Sequence, residues 1–219
     1  MGIKRITRRR GDSFRGVAVR ANFLSFDCPD LQFPVRQMSR EMAKPMVGSW
    51  KRMEKIARYL VNRKRIIWHF KWQDTIDKAN VCGDSDWGGR TGSRKSTSVG
   101  VWMIGAHCIK TWSVTQRAYA LSSAEVEFYG RIEAETRAKG LRNLAVEVGF
   151  KNLENGVHSG TDISAAKSVV GRQGLGMMKH LEIGDLWPQK EVKEGKVVVH
   201  TVLGAENPSD LGTKILKHS

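Results

Sequence analysis

The chain predicts an α/β fold: a mixed five-stranded sheet with helices on both faces, preceded by a small, mainly helical region. Three observations carry that expectation. Segments that read as strands recur at 78–86, 97–105, 107–114, 156–162 and 196–203. From residue 78 onward, helical segments fall only after the third strand, so the order there is three strands, helix, strand, helices, strand, helix. A meander joined by short turns is antiparallel, whereas strands reached through helical crossovers run parallel, and together they make a mixed sheet. The crossovers should be right-handed.

Taken in order, residues 1–12 are basic and predict a disordered tail, and 13–77 predict the mainly helical region. Phe14, Val17 and Ala21 recur at helical spacing, and Pro29 restarts the chain after a break. In SWKRMEKIARYLV, the residues Trp50, Met53, Ile56, Ala57, Leu60 and Val61 make one apolar stripe, with Ser49 as the expected N-cap. Lys51, Arg52, Lys55 and Arg58 occupy the other face, and Arg63, Lys64 and Arg65 follow. IIWHFKW (66–72) predicts a short strand or hairpin. The second and third strands turn at Gly105-Ala106. A long helix should span about 123–148 and break at Gly149; shorter ones should cover 164–172, 178–192 and 208–216, the last with Asn207 near its cap. Trp50, Trp68, Trp72 and Trp102 are assigned to the core.

Bulk properties exclude several classes. At 219 residues with 40% hydrophobic and 27% charged content, the chain reads as an ordinary folded protein. No apolar run approaches the roughly 20 residues of a membrane helix, and the basic N-terminus lacks the apolar segment of a secretory signal. Cys28, Cys82 and Cys108 are odd in number and lack CxxC spacing, which argues against a disulfide framework or zinc site and for a reducing compartment. An intracellular location is expected, with cytoplasmic particle and nucleus both left open. The net charge of +15 is uneven: residues 1–80 hold 19 basic against 7 acidic side chains, and 81–219 hold 18 against 15. A basic front half beside a nearly neutral, acid-bearing back half suggests a polyanion held next to a catalytic centre.

That centre is suggested by four acids. Asp84 lies late in the first strand, Glu127 in the opening turns of the long helix, Asp162 at the end of the fourth strand and Asp210 at the start of the last helix. Carboxylates converging from strand ends and helix starts repel one another unless positive charge is present. A divalent ion supplies it, and all-oxygen ligands suit magnesium.

At these residues the chain resembles the ribonuclease H domain of copia-type retrotransposon polyproteins. GDSDWGG is similar to the family's first-strand motif, SRKSTSVG to the basic turn opening the second strand, and IKTWSVTQ to the end of the third. SSAEVEFYG is similar to the helix motif, TDISAA to the third acidic strand, GMMKHLEI to the basic-His segment and NPSDLGTKIL to the terminal helix. The resemblance covers about 78–217. The stretch from Phe14 to Tyr59 resembles the piece that joins reverse transcriptase to ribonuclease H in the same polyproteins. The paired aspartates of a polymerase palm are absent from the sequence, and the chain reads as a fragment of a longer polyprotein.

The resemblance implies a ribonuclease H-like fold and an endonuclease that cuts the RNA strand of an RNA–DNA hybrid, with a reverse transcriptase domain as a further partner. It implies two magnesium ions about 4 Å apart, replaceable by manganese, one activating water and the other stabilising the leaving 3′ oxygen. Asp84 would bridge them, Glu127 and Asp162 would flank it, and Asp210 would complete the water-side shell. Products would carry 5′-phosphate and 3′-hydroxyl ends, with RNA recognised through its 2′-hydroxyls.

Each assignment has a simpler rival. Asp86 shares a strand face with Asp84. Glu125 and Glu127 lie about 200° apart on a helix; the family's Glu-aromatic-x-small pattern selects Glu127 and leaves Glu125 as an exposed acid. Asp162 would also serve to cap a helix beginning at Ser164, and Asp210 would also suit a helix dipole. Arg94, Lys95, Lys179 and the four basic residues of the apolar-striped helix are assigned to phosphate, against the rival readings of a solvated turn for Arg94 and Lys95, a helix stop for the helix cluster and a loop terminus for Lys179. His180 and Asn207 are assigned as support, Asn207 orienting the attacking water or the last acid. Cellular ribonucleases H often carry a histidine before the last aspartate; here LGAENPSD has none, which predicts slower turnover. The competing function is a catalytically silent nucleic-acid-binding remnant, or a structural subunit of a reverse transcriptase.

Overall fold

A computed structural model describes residues 6–74, 76–87, 95–161 and 183–212. The described residues form two compact units, one within residues 6–70 and the other within 71–212. The helices expected at 164–172 and beyond 212 lie outside the described residues.

The first unit is helical: α1 (Arg8–Leu24), α2 (Pro29–Ser39) and α3 (Val47–Asn62). Phe14, Ala18 and Ala21 of α1 meet Leu31, Val35 and Met38 of α2 and Met53 and Ile56 of α3. Ala18 rather than Val17 faces inward, because the stripe follows the i, i+4 step from Phe14. Ser49 is not the N-cap of α3. The helix begins at Val47, and the Ser49 hydroxyl, at the third position, accepts from the N–H of Met46 at 2.9 Å. The stripe is narrower than predicted: Met53 and Ile56 are buried, whereas Ala57 and Val61 are exposed.

Residues 66–72 form no strand or hairpin. They have no regular secondary structure, and Ile67, Trp68, Phe70 and Trp72 are exposed. A short apolar run offers β propensity but no partner strand, and propensity alone does not make a strand. The predicted core roles of Trp68 and Trp72 are therefore wrong, while Trp102 is buried and Trp50 packs at the edge of the helical core. Order resumes at Gln73, three residues into the second unit. Its amide donates to the carbonyl of Ile104 at 3.2 Å, and its Oε1 accepts from the N–H of Ala106 at 2.9 Å. One side chain thereby closes the hairpin turn, where Gly105 takes φ 57°.

The second unit is built on β1 (Ala79–Asp86), β2 (Thr97–Ile104), β3 (His107–Thr115), β4 (Val157–Thr161) and β5 (Val197–Thr201). Their order is β3-β2-β1-β4-β5. β1, β2 and β3 pair antiparallel, and β4 and β5 run parallel to β1. This mixed sheet has the ribonuclease H-like arrangement. α4 (Ser123–Glu147) lies over the sheet, with Ala134, Ala138 and Ala145 against Ala79, Val81, Trp102, Trp112 and Val157. α5 (Trp187–Lys193) follows a 3-10 turn at Ile183–Leu186, so only the later part of the helix predicted at 178–192 is α-helical among the described residues. α5 packs on the same face: Val192 joins Val199 and Phe128 of α4.

Candidate active site

α4 begins with a cap. The Ser122 hydroxyl accepts from the N–H of Glu125 at 3.2 Å, and the Glu125 carboxylate reaches back to the N–H of Leu121 at 2.7 Å. One orphan donor of the helix, and the N–H of the residue just ahead of the cap, are satisfied in this way. Glu125 is thus only 1% exposed and works as a cap, contrary to its predicted role as an exposed helix acid.

The register then places the other acids. An alanine methyl at Gly83 would lie 3.4 Å from Cβ of Ala134, and one at Gly130 would lie 2.2 Å from the Ser85 hydroxyl. Gly83 and Ser85 therefore face α4, and α4 runs antiparallel to β1. Glu127, about one turn before Gly130, stands over the C-terminal end of β1 and is 7% exposed. Asp84 alternates to the opposite face and is 8% exposed. It pairs across the ladder with Val99, and a methyl at Gly212 would lie 2.4 Å from that valine. The 3-10 turn Asp210–Gly212 therefore covers the face that carries Asp84.

Asn207 holds this turn in place. Its amide donates to the carbonyl of Gly83 at 3.4 Å. Its Oδ1 accepts from the Ser209 N–H at 3.1 Å and the Ser209 hydroxyl at 2.5 Å. The N–H of Asp210 bonds to the Asn207 carbonyl at 3.2 Å. Both Asn207 and Ser209 are buried. These bonds tie Asn207 to the turn that carries Asp210.

Asp86 is engaged elsewhere: its carboxylate accepts from the N–H of Thr97 at 2.5 Å and ties the ends of β1 and β2. Asp162 follows Thr161 directly in sequence but lies outside the described residues, as do Arg94, Lys179 and His180. Lys95 donates to the carbonyl of Arg117 at 3.3 Å and sits 5.0 Å from the Tyr119 ring centre. On α3, Lys51, Arg52, Lys55 and Arg58 are all exposed. Arg52 pairs with Glu41, and Arg58 lies 3.8 Å from Glu54. Exposed pairs of this kind are weak, so phosphate would compete for both arginines.

Two supporting groups escaped the sequence reading. Gln116 is buried beneath the start of α4 and donates to the Ser98 hydroxyl at 2.9 Å and the Val126 carbonyl at 2.8 Å. Its position at the end of IKTWSVTQ was the available signal. Arg131 and Glu135 form a buried ion pair at 2.7 Å, and Arg131 also reaches the Ser159 hydroxyl at 3.3 Å. The pair fastens α4 to β4, the strand that leads into Asp162; its sequence signal was a cation four residues after Glu127.

Among the described residues, no three acids, histidines or cysteines close into a group that would hold a metal. Asp84 and the Asp210 turn share one face, and Glu127 approaches over the strand end. The donors are all carboxylate oxygens. That set fits magnesium, which binds through one or two carboxylates together with water and substrate phosphate rather than in a closed protein cage.

No protein-family model matches the chain. It is 24% identical over 203 residues to the retrovirus-related Pol polyprotein from transposon RE2 of Arabidopsis thaliana, covering 93% of this chain and 14% of that one. It is 26% identical over 192 residues to that of transposon TNT 1-94 of Nicotiana tabacum, covering 86% and 14%. A shorter relative, the secreted RxLR effector protein 161 of Plasmopara viticola, is 32% identical over 110 residues, which is 50% of this chain and 77% of that protein. The chain therefore spans about one seventh of the polyproteins it matches. Among solved structures, LC11-RNase H1 in complex with an RNA/DNA hybrid aligns over 61% of this chain and 91% of that one, at 16% identity and a TM-score of 0.37. That agreement is too loose to argue from, and the strand order stands on its own.

Proposed function

We propose that this chain, which belongs to one family with the retrovirus-related Pol polyproteins of transposons, is a metal-dependent ribonuclease H that cleaves the RNA strand of RNA–DNA hybrids. The observation that carries the reading is the bond from Asn207 to Gly83, which seats the Asp210 turn on the sheet face of Asp84. Two acids more than 120 residues apart in sequence thereby share one surface, and Glu127 is directed to the same strand end. Asp84, Glu127, Asp210 and, by its place after β4, Asp162 would hold magnesium. When bound, the ions would lower the pKa of the attacking water and stabilise charge on the leaving oxygen.

The chain's own residues set the frame for that chemistry. Asp84 and Glu127 are largely withdrawn from solvent, which strengthens their attraction for cations. Asn207 and Ser209 fix the Asp210 turn, so the last acid needs little reorganisation as substrate arrives. Gln116 and the Ser85–Ser98 pair, 3.3 Å apart, brace the start of α4 behind Glu127. The exposed lysines and arginines of α3 would contact phosphate, and the helical unit would correspond to the segment joining a reverse transcriptase to this domain.

Cleavage of an end-labelled hybrid in magnesium, calcium or chelator, beside an Asp84→Asn variant, tests the proposal. Cutting of the RNA strand alone, in magnesium only and lost on substitution, is the expected result. Salt-sensitive binding without cutting under any metal would overturn it and leave a silent binding remnant or a structural subunit.

A further inference from the structure

Arg131 lies on the sheet-facing side of α4, and we propose that it is a positioning residue: with Glu135 it holds α4 in register on β4, so that Glu127 stands at the right distance from the strand ends to share a metal ion. The proposal rests on the reading of the acids as a magnesium centre. The guanidinium is 4% exposed and the Glu135 carboxylate 0%, and the two form an ion pair at 2.7 Å. The same Nη2 donates to the Ser159 hydroxyl of β4 at 3.3 Å. Glu127 precedes Arg131 by about one helical turn on the same side of α4. Ser159 precedes by two residues the end of β4 at Thr161, and Asp162 is next in sequence.

Stability does not account for this pair. Nε and Nη1 of Arg131 and Oε2 of Glu135 have no hydrogen-bond partner among the described residues. Buried polar atoms in that state carry the full cost of leaving water. Two apolar side chains of similar volume would hold the fold as well or better. What the pair supplies instead is direction. The nearby contacts of α4 with the sheet are made by Ala134 and Ala138, whose small apolar side chains tolerate a slide of the helix. A hydrogen bond has a preferred length and angle and resists one. Metal–carboxylate distances must be met to within a few tenths of an ångström, so a small slide of α4 along β4 is enough to weaken a shared ion.

Manganese stands in for magnesium in the test, and its binding to the full-length chain is read by electron paramagnetic resonance without nucleic acid. Arg131→Met/Glu135→Leu removes both charges at once, so the net charge near the acids does not change. Manganese affinity should fall about tenfold or more, while the thermal transition stays in place or rises. Ser159→Ala, which leaves the ion pair intact, should give a smaller loss in the same direction and serves if the double variant does not fold. Lys139→Met/Glu191→Leu removes a second neutral pair on α4, at 2.7 Å, which joins it to α5 instead; its manganese affinity should match the wild-type chain. Unchanged affinity in the Arg131 and Ser159 variants would overturn the proposal, and so would an equal loss in the Lys139 variant, which would mark a general loosening of α4. Hybrid cleavage is measured alongside. A wild-type chain that binds manganese and leaves the hybrid uncut would sink the nuclease reading alone, because the affinities still decide the role of Arg131. A wild-type chain that binds no manganese would overturn both.

Discussion

The side-chain amide of Asn207 bonds the backbone carbonyl of Gly83 at 3.4 Å, across 124 positions of sequence. One short polar side chain thereby links the last acidic turn to the strand beside Asp84. The Ser209 bonds to its Oδ1 hold the amide in the donating orientation.

Asn207→Ala should remove this link and leave the Ser209 hydroxyl and N–H without their buried acceptor. A loss of about 1–3 kcal/mol in folding stability is expected, together with at least a tenfold fall in kcat. Hybrid affinity in chelator should change little. Denaturant unfolding, single-turnover cleavage and equilibrium binding separate the three effects; a variant with wild-type kcat would remove Asn207 from the site.

Gly130→Ala tests a steric contact. In an open helix the substitution would help by up to about 1 kcal/mol, but here the new methyl would lie 2.2 Å from the Ser85 hydroxyl. A net loss of about 1–3 kcal/mol is expected. Removing that oxygen with Ser85→Ala should restore most of it, and a double-mutant cycle by thermal unfolding reads the coupling directly. Additive effects would contradict the close packing of α4 on β1.

Glu125 and Glu127 should separate stability from catalysis. Glu125→Ala removes the reach back to Leu121 and should cost about 1 kcal/mol while metal-dependent cutting persists. Glu127→Gln should do the reverse, with near-normal unfolding and cleavage reduced at least a hundredfold. Magnesium titrations of both variants make the comparison; cleavage lost only with Glu125 would exchange the two assignments.

The three thiols should be unreactive at neutral pH. Burial pushes the Cys82 and Cys108 thiols above their usual range, and burial followed by the nearby Asp30 and Asp27 does the same for Cys28. A folded-state pKa above the unfolded one means the native protein holds its proton longer. The associated stability is complete only below the unfolded thiol pKa of about 8.5 and is lost as pH rises through the folded values. Iodoacetamide labelling should lag a free cysteine at pH 7.5 and rise only in alkali. Rapid neutral labelling of any of the three would show that its thiol is not held neutral.

Much of the fold was legible because its signals are local. Strand and helix patterns over 78–161 and at 197–201 fell within a residue or two of the observed elements, since alternation and helical spacing are read within a few residues. The acids at Asp84, Glu127 and Asp210 were singled out by motif. Local reading failed at residues 66–72, where β propensity had no neighbouring strand to pair with. It failed also at Glu125, whose burial depends on the chain turning back through Leu121 and Ser122.

The sequence by itself determined the element order, the uneven charge and the motifs that mark this family, because each resides in residue type and short-range spacing. Only the tertiary structure decided which side of β1 carries Asp84, that Asn207 reaches Gly83, that Arg131 is buried against Glu135 and Ser159, and that Trp68 and Trp72 remain outside the core. Those facts depend on register and on partners distant in sequence, and a bond between groups more than a hundred residues apart leaves no periodic trace along the chain.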